Sequence, residues 1–107
     1  MHIWIAFVKI LKYYVYMQRK DDKTLYLRKI LGKTVTLKRE ELTGLSCNKL
    51  ANEYDIGNGN LNRIENGVVD CKFITFWKIA EALGIKPSEL VKILEDKLGE
   101  DFKLIDE

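Results

Sequence analysis

LANEYDIGNGNLNRIENG, Leu50 to Gly67, combines residue types that a stable helix avoids with the apolar anchors that a packed one needs. Asn58, Asn60 and Asn62 alternate with Gly57, Gly59 and Leu61, so weak helix formers crowd the middle of the segment. Apolar residues at Leu50, Tyr54, Ile56, Leu61 and Ile64 nevertheless imply packed structure on both sides. A chain that places Asn and Gly between buried anchors needs those residue types for something other than helix stability.

The flanking residues frame the segment as two short helices. Ser46 is suited to cap the first, accepting from the free amides of its opening turn, while Leu45, Leu50 and Ala51 supply its buried side. Asp55 follows at the exit, where Asp tolerates left-handed backbone better than most residues. A second helix runs from about Asn58 to Glu65 and stops at Asn66-Gly67, a left-handed terminator. Two helices of about two turns joined by a short turn form a helix-turn-helix. The small Ala51 falls at the crossing, Ile56 in the turn, and Leu61 and Ile64 on the buried side, which leaves Asn58, Gly59, Asn62 and Arg63 pointing outward. The same residues allow a longer loop over DIGNGN with helix resuming at Leu61. The interval from Ala51 to Leu61 and Ile64 favours the motif.

Outward from this pair the chain reads as all-α. Leu25, Leu27, Ile30, Leu31 and Val35 begin an amphipathic stretch that runs to Thr43 and stops at Gly44, with a break expected near Gly32. KFITFWKIAEALG sets Phe73, Phe76 or Trp77, Ala80 and Leu83 on one side and ends at Gly84. Phe76 and Trp77 are expected in the core. Pro87 suits the first position of a final helix with an apolar stripe of Leu90, Val91, Leu94 and Leu98. Three units follow: residues 1–22 as an apolar and basic N-terminal extension, helix or strand; residues 23–98 as the domain; and residues 99–107 as an acidic tail with Phe102, Leu104 and Ile105 able to dock in a groove.

The extension contains IWIAFVKILKYYVYM, Ile3 to Met17, which is shorter than the ~18–20 residues needed to cross a bilayer and includes Lys9 and Lys12. No membrane role is expected of it. Helical spacing yields seams Trp4–Val8–Leu11–Val15 and Ile3–Phe7–Ile10–Tyr14, suited to packing on the domain or on a second subunit; a strand is the alternative, as is translation starting naturally at Met17. The charged run Gln18–Lys23 reads as a boundary or helix break.

Composition narrows the chemistry. At 107 residues, one small domain with some additional chain is the simplest organisation. Residues 1–39 carry ten Lys/Arg against two Asp, a balance of +8, whereas residues 40–107 carry eight against fourteen acids, −6. That polarity hints at a polyanionic partner. Cys47, Cys71 and the single His2 do not assemble a metal site, so no metal or other cofactor is expected and the thiols read as reduced cytoplasmic ones. Ser46 and Ser88 read as helix-start residues with no base beside them, which argues against an enzyme.

GLSCNKLANEYDIGNGNLNRIENG followed by FWKIAEALGIKPSEL resembles the phage repressor and Cro type of helix-turn-helix protein, also called the XRE family, over about residues 32–94. The ordered parts GLS..KLA, L.RIENG and KIAEALGI carry the likeness together. The resemblance implies a compact five-helix, lambda-repressor-like domain, usually dimeric, whose third helix enters the major groove of double-stranded DNA. Carried over by position, Asn58, Gly59, Asn62 and Arg63 fall where bases are contacted, and Gly57 and Asn66 where phosphates are met. Cys47 takes a place often held by a phosphate-contacting polar residue, for which a thiol is a poor substitute, and Asp55 stands where Gly is commonest. Lys49, Arg39 and Lys72 are further backbone-contacting candidates, and Glu65 is expected to tie the second helix to a basic group such as Arg39.

The composition of the opening stretch then makes chemical sense. Asn pairs in a bidentate way with adenine and Arg with guanine, while Gly57 and Gly59 let backbone approach DNA closely. The expectation is a transcriptional regulator, a repressor, in a prokaryotic or phage-encoded cytoplasmic setting. Two alternatives stay open: a DNA-binding antitoxin whose N-terminal run (residues 3–17) or C-terminal tail binds a toxin, and a helix-turn-helix used as a protein-interaction module. The sparse positive charge of Gly44–Gly67 makes phosphate neutralisation the weak point of the DNA reading.

Overall fold

The computed structural model describes residues 2–105, with side chains described for 5–11 and 22–105. Met1, Asp106 and Glu107 lie outside the described residues, as do the side chains of Trp4, Tyr14, Val15 and Ile3 in the expected N-terminal seams. Five α-helices and no strand are found among the described residues: α1 (His2–Leu42), α2 (Cys47–Glu53), α3 (Asn58–Glu65), α4 (Phe73–Leu83) and α5 (Pro87–Leu98).

α1 is one helix of 41 residues, and at about 1.5 Å per residue it sets the long axis of a molecule measuring 63 × 29 × 20 Å. The break expected at Gln18–Lys23 is absent from the backbone. A run of Gln, Arg, Lys and Asp contains no Gly or Pro, so charge alone does not interrupt the hydrogen-bond ladder. Gly32 does not break the helix either; its role is contact. A Cβ there would lie 2.4 Å from the Glu65 carbonyl oxygen and 2.5 Å from that of Ile64, so only glycine lets α1 approach the end of α3 this closely.

The core gathers Val35 from α1, Leu50 and Ala51 from α2, Ile56 from the turn, Leu61 and Ile64 from α3, Ile79, Ala80, Ala82 and Leu83 from α4, and Leu90 from α5. Thr34 is also fully buried; its hydroxyl donates to the Ile30 carbonyl and accepts from Lys97 Nζ at 3.1 Å. Among the described residues no buried side-chain nitrogen or oxygen lacks a partner, as a close-packed interior requires.

Several positions expected to pack face solvent, Tyr54 among them at the end of α2. Phe73 and Trp77 on α4 are 73 and 46 % exposed, and Val91 on α5 is 42 % exposed. In FITFWKIAEAL nearly every residue is apolar, so periodicity does not separate the inner face from the outer. The face that packs inward is Phe76, Ile79, Ala80 and Leu83. Leu25 of α1 is likewise half exposed. The C-terminal segment does dock in part: Phe102 meets Tyr26 with ring centroids 6.0 Å apart, and Leu104 lines a groove with Leu27 and Leu31, while Ile105 stays exposed.

Candidate nucleic-acid interface

The helix pair at residues 47–65 is built as its local chemistry dictates. Ser46 adopts extended backbone and its hydroxyl accepts from the Lys49 amide at 3.2 Å, starting α2. Asp55 takes φ 55°, the left-handed conformation that turns the chain toward α3. α3 starts at Gly57 with no side-chain cap and ends at Asn66, after which Gly67 takes φ 72°. At Gly67 a Cβ would also lie 2.8 Å from Lys29 Cδ and 3.1 Å from its Cα, so the terminator doubles as a close contact with α1.

α1 fixes α3 through a buried charge network. Arg39 Nε donates to Glu65 Oε2 and Nη2 to Oε1, both at 2.9 Å, while Nη1 donates to the Leu45 carbonyl at 2.7 Å. Thr36 Oγ1 adds a hydrogen bond to Glu65 Oε1 at 3.0 Å. The bidentate geometry satisfies both partners in the interior, and the Glu65 hydrogen bond raises the Arg39 pKa against the opposing effect of burial. One residue further on, at the same C-terminal end of α3, Lys29 Nζ donates to the Asn66 carbonyl at 2.9 Å, a cation on the free carbonyls of a helix C-terminus.

These contacts redistribute the basic residues. Glu65 is tied to Arg39 as the sequence suggested, and the same pair leaves Arg39 only 8 % exposed, its guanidinium held by Glu65 and the Leu45 carbonyl. Arg28 pairs with Asp70 at 2.7 Å, and Lys78 lies beside Asp55. Cys47 is half-buried at the start of α2; burial first, then the nearby Glu65 carboxylate, raises its thiol pKa, so the side chain is a neutral packing group. Cys71, in the loop before α4, is pushed up to about 11 by burial. Neither thiol is a charged contact.

What remains outward is a coherent row. Leu61 and Ile64 are buried, whereas Asn58, Gly59, Asn62, Arg63 and Asn66 are exposed on α3, with Lys49 on α2 and Lys72 before α4 also exposed. The Asn66 amide donates to the Asn62 carbonyl at 2.9 Å and to Asn62 Oδ1 at 3.2 Å, an orienting contact not visible in the sequence. Asn62 Oδ1 retains a second lone pair and its NH2 group still donates, the two functions that reading adenine requires. Arg63 lies back along the helix toward Gly59, where a Cβ would sit 3.4 Å from Nη1. Turning Glu65 inward also lightens the negative charge of the outward surface, where Lys49, Arg63 and Lys72 face Glu53 and Asp55. Among the described residues no group of His, Cys, Asp and Glu can hold a metal ion, and no helix is long and apolar enough to cross a membrane.

The family model described as helix-turn-helix matches residues 37–90, from the last turns of α1 to the start of α5. Comparison with curated proteins and with solved structures returns no significant match. The matched span takes in the capped α2, the left-handed turn at Asp55, the two-sided α3 and α4, and makes up half of the chain. The chain belongs to the XRE-type helix-turn-helix family and is a DNA-binding regulator of that type.

Proposed function

We propose that the protein is a sequence-specific transcriptional repressor of the phage-repressor type, its five helices arranged as in a lambda-repressor-like domain, acting in the cytoplasm as a homodimer with α3 in the major groove. The observation that carries this reading is the division of α3 into a buried side, Leu61 and Ile64, and an outward row of Asn58, Gly59, Asn62 and Arg63. Asn and Arg are the side chains that read adenine and guanine edges in a bidentate way. Gly57 and Gly59 admit close backbone approach, and Lys49, Lys72, Asn66 and the amide at Cys47 are the phosphate-side groups. Arg39 supports α3 from behind. Residues 23–98 are the DNA-binding unit, with residues 1–22 and 99–107 as appendages to it.

A second reading, a helix-turn-helix that binds protein, draws on the exposed aromatic residues of α4. Salt dependence separates the two. Titration of a labelled duplex pool at several salt concentrations is expected to show affinity falling steeply as salt rises, with log K linear in log salt. Absence of binding even at low salt contradicts the repressor reading and leaves the protein-binding one.

A further inference from the structure

Asn62 on α3 and Asn66 at its C-cap stand one helical turn apart, and both are exposed. The Asn66 NH2 group reaches back to both oxygens of Asn62, donating to the carbonyl at 2.9 Å and to Oδ1 at 3.2 Å. An amide nitrogen has two hydrogens to give, so these two bonds occupy the donor capacity of the Asn66 side chain. What is left on that side chain is its own Oδ1, an acceptor, and a phosphate oxygen has no proton to offer it.

Asn66 is itself held in place. Its backbone N–H donates to the Asn62 carbonyl at 3.0 Å, and its own carbonyl accepts from Lys29 Nζ at 2.9 Å. The next residue, Gly67, is buried against Lys29. The donor that meets Asn62 is therefore fixed from α1, the helix that also anchors α3 through Arg39 and Glu65.

We propose that Asn66 is a positioning residue that sets which base Asn62 reads. The proposal rests on the base-reading role given to α3 above and changes the part of Asn66 in it, from the phosphate side to the support of Asn62. The terminal torsion of an asparagine is broad and roughly two-fold, so a free amide presents its oxygen and nitrogen in either order. Adenine requires one order, an acceptor toward N6–H and a donor toward N7. The Asn66 donor holds Asn62 Oδ1 on the Asn66 side and leaves the NH2 group on the other, which sets the order before DNA arrives. Guanine presents two acceptors on the same edge, and an amide held in this order matches only one of them. Asn66 thus adds selectivity for adenine over guanine at the base pair that Asn62 meets, in the way that a supporting residue keeps a reading side chain within the narrow range recognition needs.

Selection from a randomised duplex library tests the proposal with wild type, Asn62→Ala, Asn66→Ala, the double variant and Asn66→Asp. Asn66 has ordinary right-handed backbone, φ −84° and ψ −3°, which alanine and aspartate adopt, and circular dichroism checks each fold. Asn66→Ala is expected to lose about 3- to 10-fold of the adenine preference, the worth of one hydrogen bond, at the one position that Asn62→Ala relaxes. In the double variant it should add nothing to the loss from Asn62→Ala. Asn66→Asp, close in shape but without a donor, should relax the same position. Equal weakening on every sequence, a full additional loss in the double variant, or an unchanged base preference in Asn66→Ala or Asn66→Asp each overturn the proposal, the first returning Asn66 to the phosphate side. In the free protein the Asn62 side-chain amide resonances should move in Asn66→Ala, and unmoved resonances overturn it as well. A wild type that enriches no duplex defeats the DNA reading and the proposal with it. Relaxation of one position by Asn62→Ala and of none by Asn66→Ala defeats the proposal alone.

Discussion

α3 and α4 are neighbouring helices with opposite outer faces. α3 is poor in helix formers and presents Asn, Gly and Arg outward, yet its inner face is fixed by Leu61, Ile64 and the Arg39–Glu65 pair. α4 is rich in apolar residues on every side and leaves Phe73, Ile74 and Trp77 to solvent. The contrast teaches that composition alone does not tell inside from outside. A helix is placed by whichever residues find partners, and what it shows to solvent is set by what it must meet there.

The largest effect should come from cutting the anchor of α3. Arg39→Ala leaves Glu65 buried without its cation and is expected to cost about 3–5 kcal/mol, read as a lowered urea midpoint. A loss below 1 kcal/mol would show that α3 is held by apolar packing alone.

The apolar residues of the two helices should then respond unequally. Leu61→Ala opens a cavity in the core and is expected to cost about 2–5 kcal/mol, whereas Phe73→Ala should stay within about 0.5 kcal/mol in the monomer. Thermal unfolding of both variants at low protein concentration makes the comparison. Equal losses would mean that Phe73 is packed as tightly as Leu61.

On the outer side of α3, stability and recognition should move in opposite directions. Gly59→Ala has room for its methyl beside Arg63 and replaces a glycine in the first turn of α3 with a better helix former, so it is expected to stabilise by up to about 1 kcal/mol. The same methyl crowds the Arg63 guanidinium and the approach to DNA, so operator affinity should fall. Paired unfolding and binding curves test this; a variant that gains both stability and affinity contradicts the placement of Gly59 at the groove.

The smallest effect belongs to Asp70, an exposed carboxylate whose pKa the Arg28 hydrogen bond lowers. Because the folded pKa lies below the ordinary carboxylate value, the contribution is fully present above that value. It fades as pH falls through the lowered one. Unfolding measured across the acid range should show a slightly shallower acid loss in Asp70→Asn than in wild type; identical slopes would show that the pair is inert.

Much of the recognition unit was legible because its signals are local. The Ser46 cap, the left-handed Asp55, the Asn66-Gly67 stop and the spacing of Leu61 and Ile64 each depend on a few adjacent residues. Glu65 and Arg39 were legible as a pair; that the pair is buried follows only from how α1 packs on α3. The continuous α1 and the close approach at Gly32 were hidden because a glycine reads as a break until its neighbour is known. Phe73 and Trp77 were misplaced inward because α4 has no polar side to break the tie. Lys29 on the Asn66 carbonyl joins residues distant in sequence, which no spacing rule finds.

The outward row of α3 is expected to read bases. Selection from a randomised duplex library at low and moderate salt, with wild type beside Arg63→Ala and Asn62→Ala, tests it most directly. Wild type should enrich half-sites repeated about one helical turn apart, and each variant should lose about 1–3 kcal/mol of discrimination at a single position within them. Enrichment of nothing at either salt, or variants that lose affinity equally on every sequence, would contradict it.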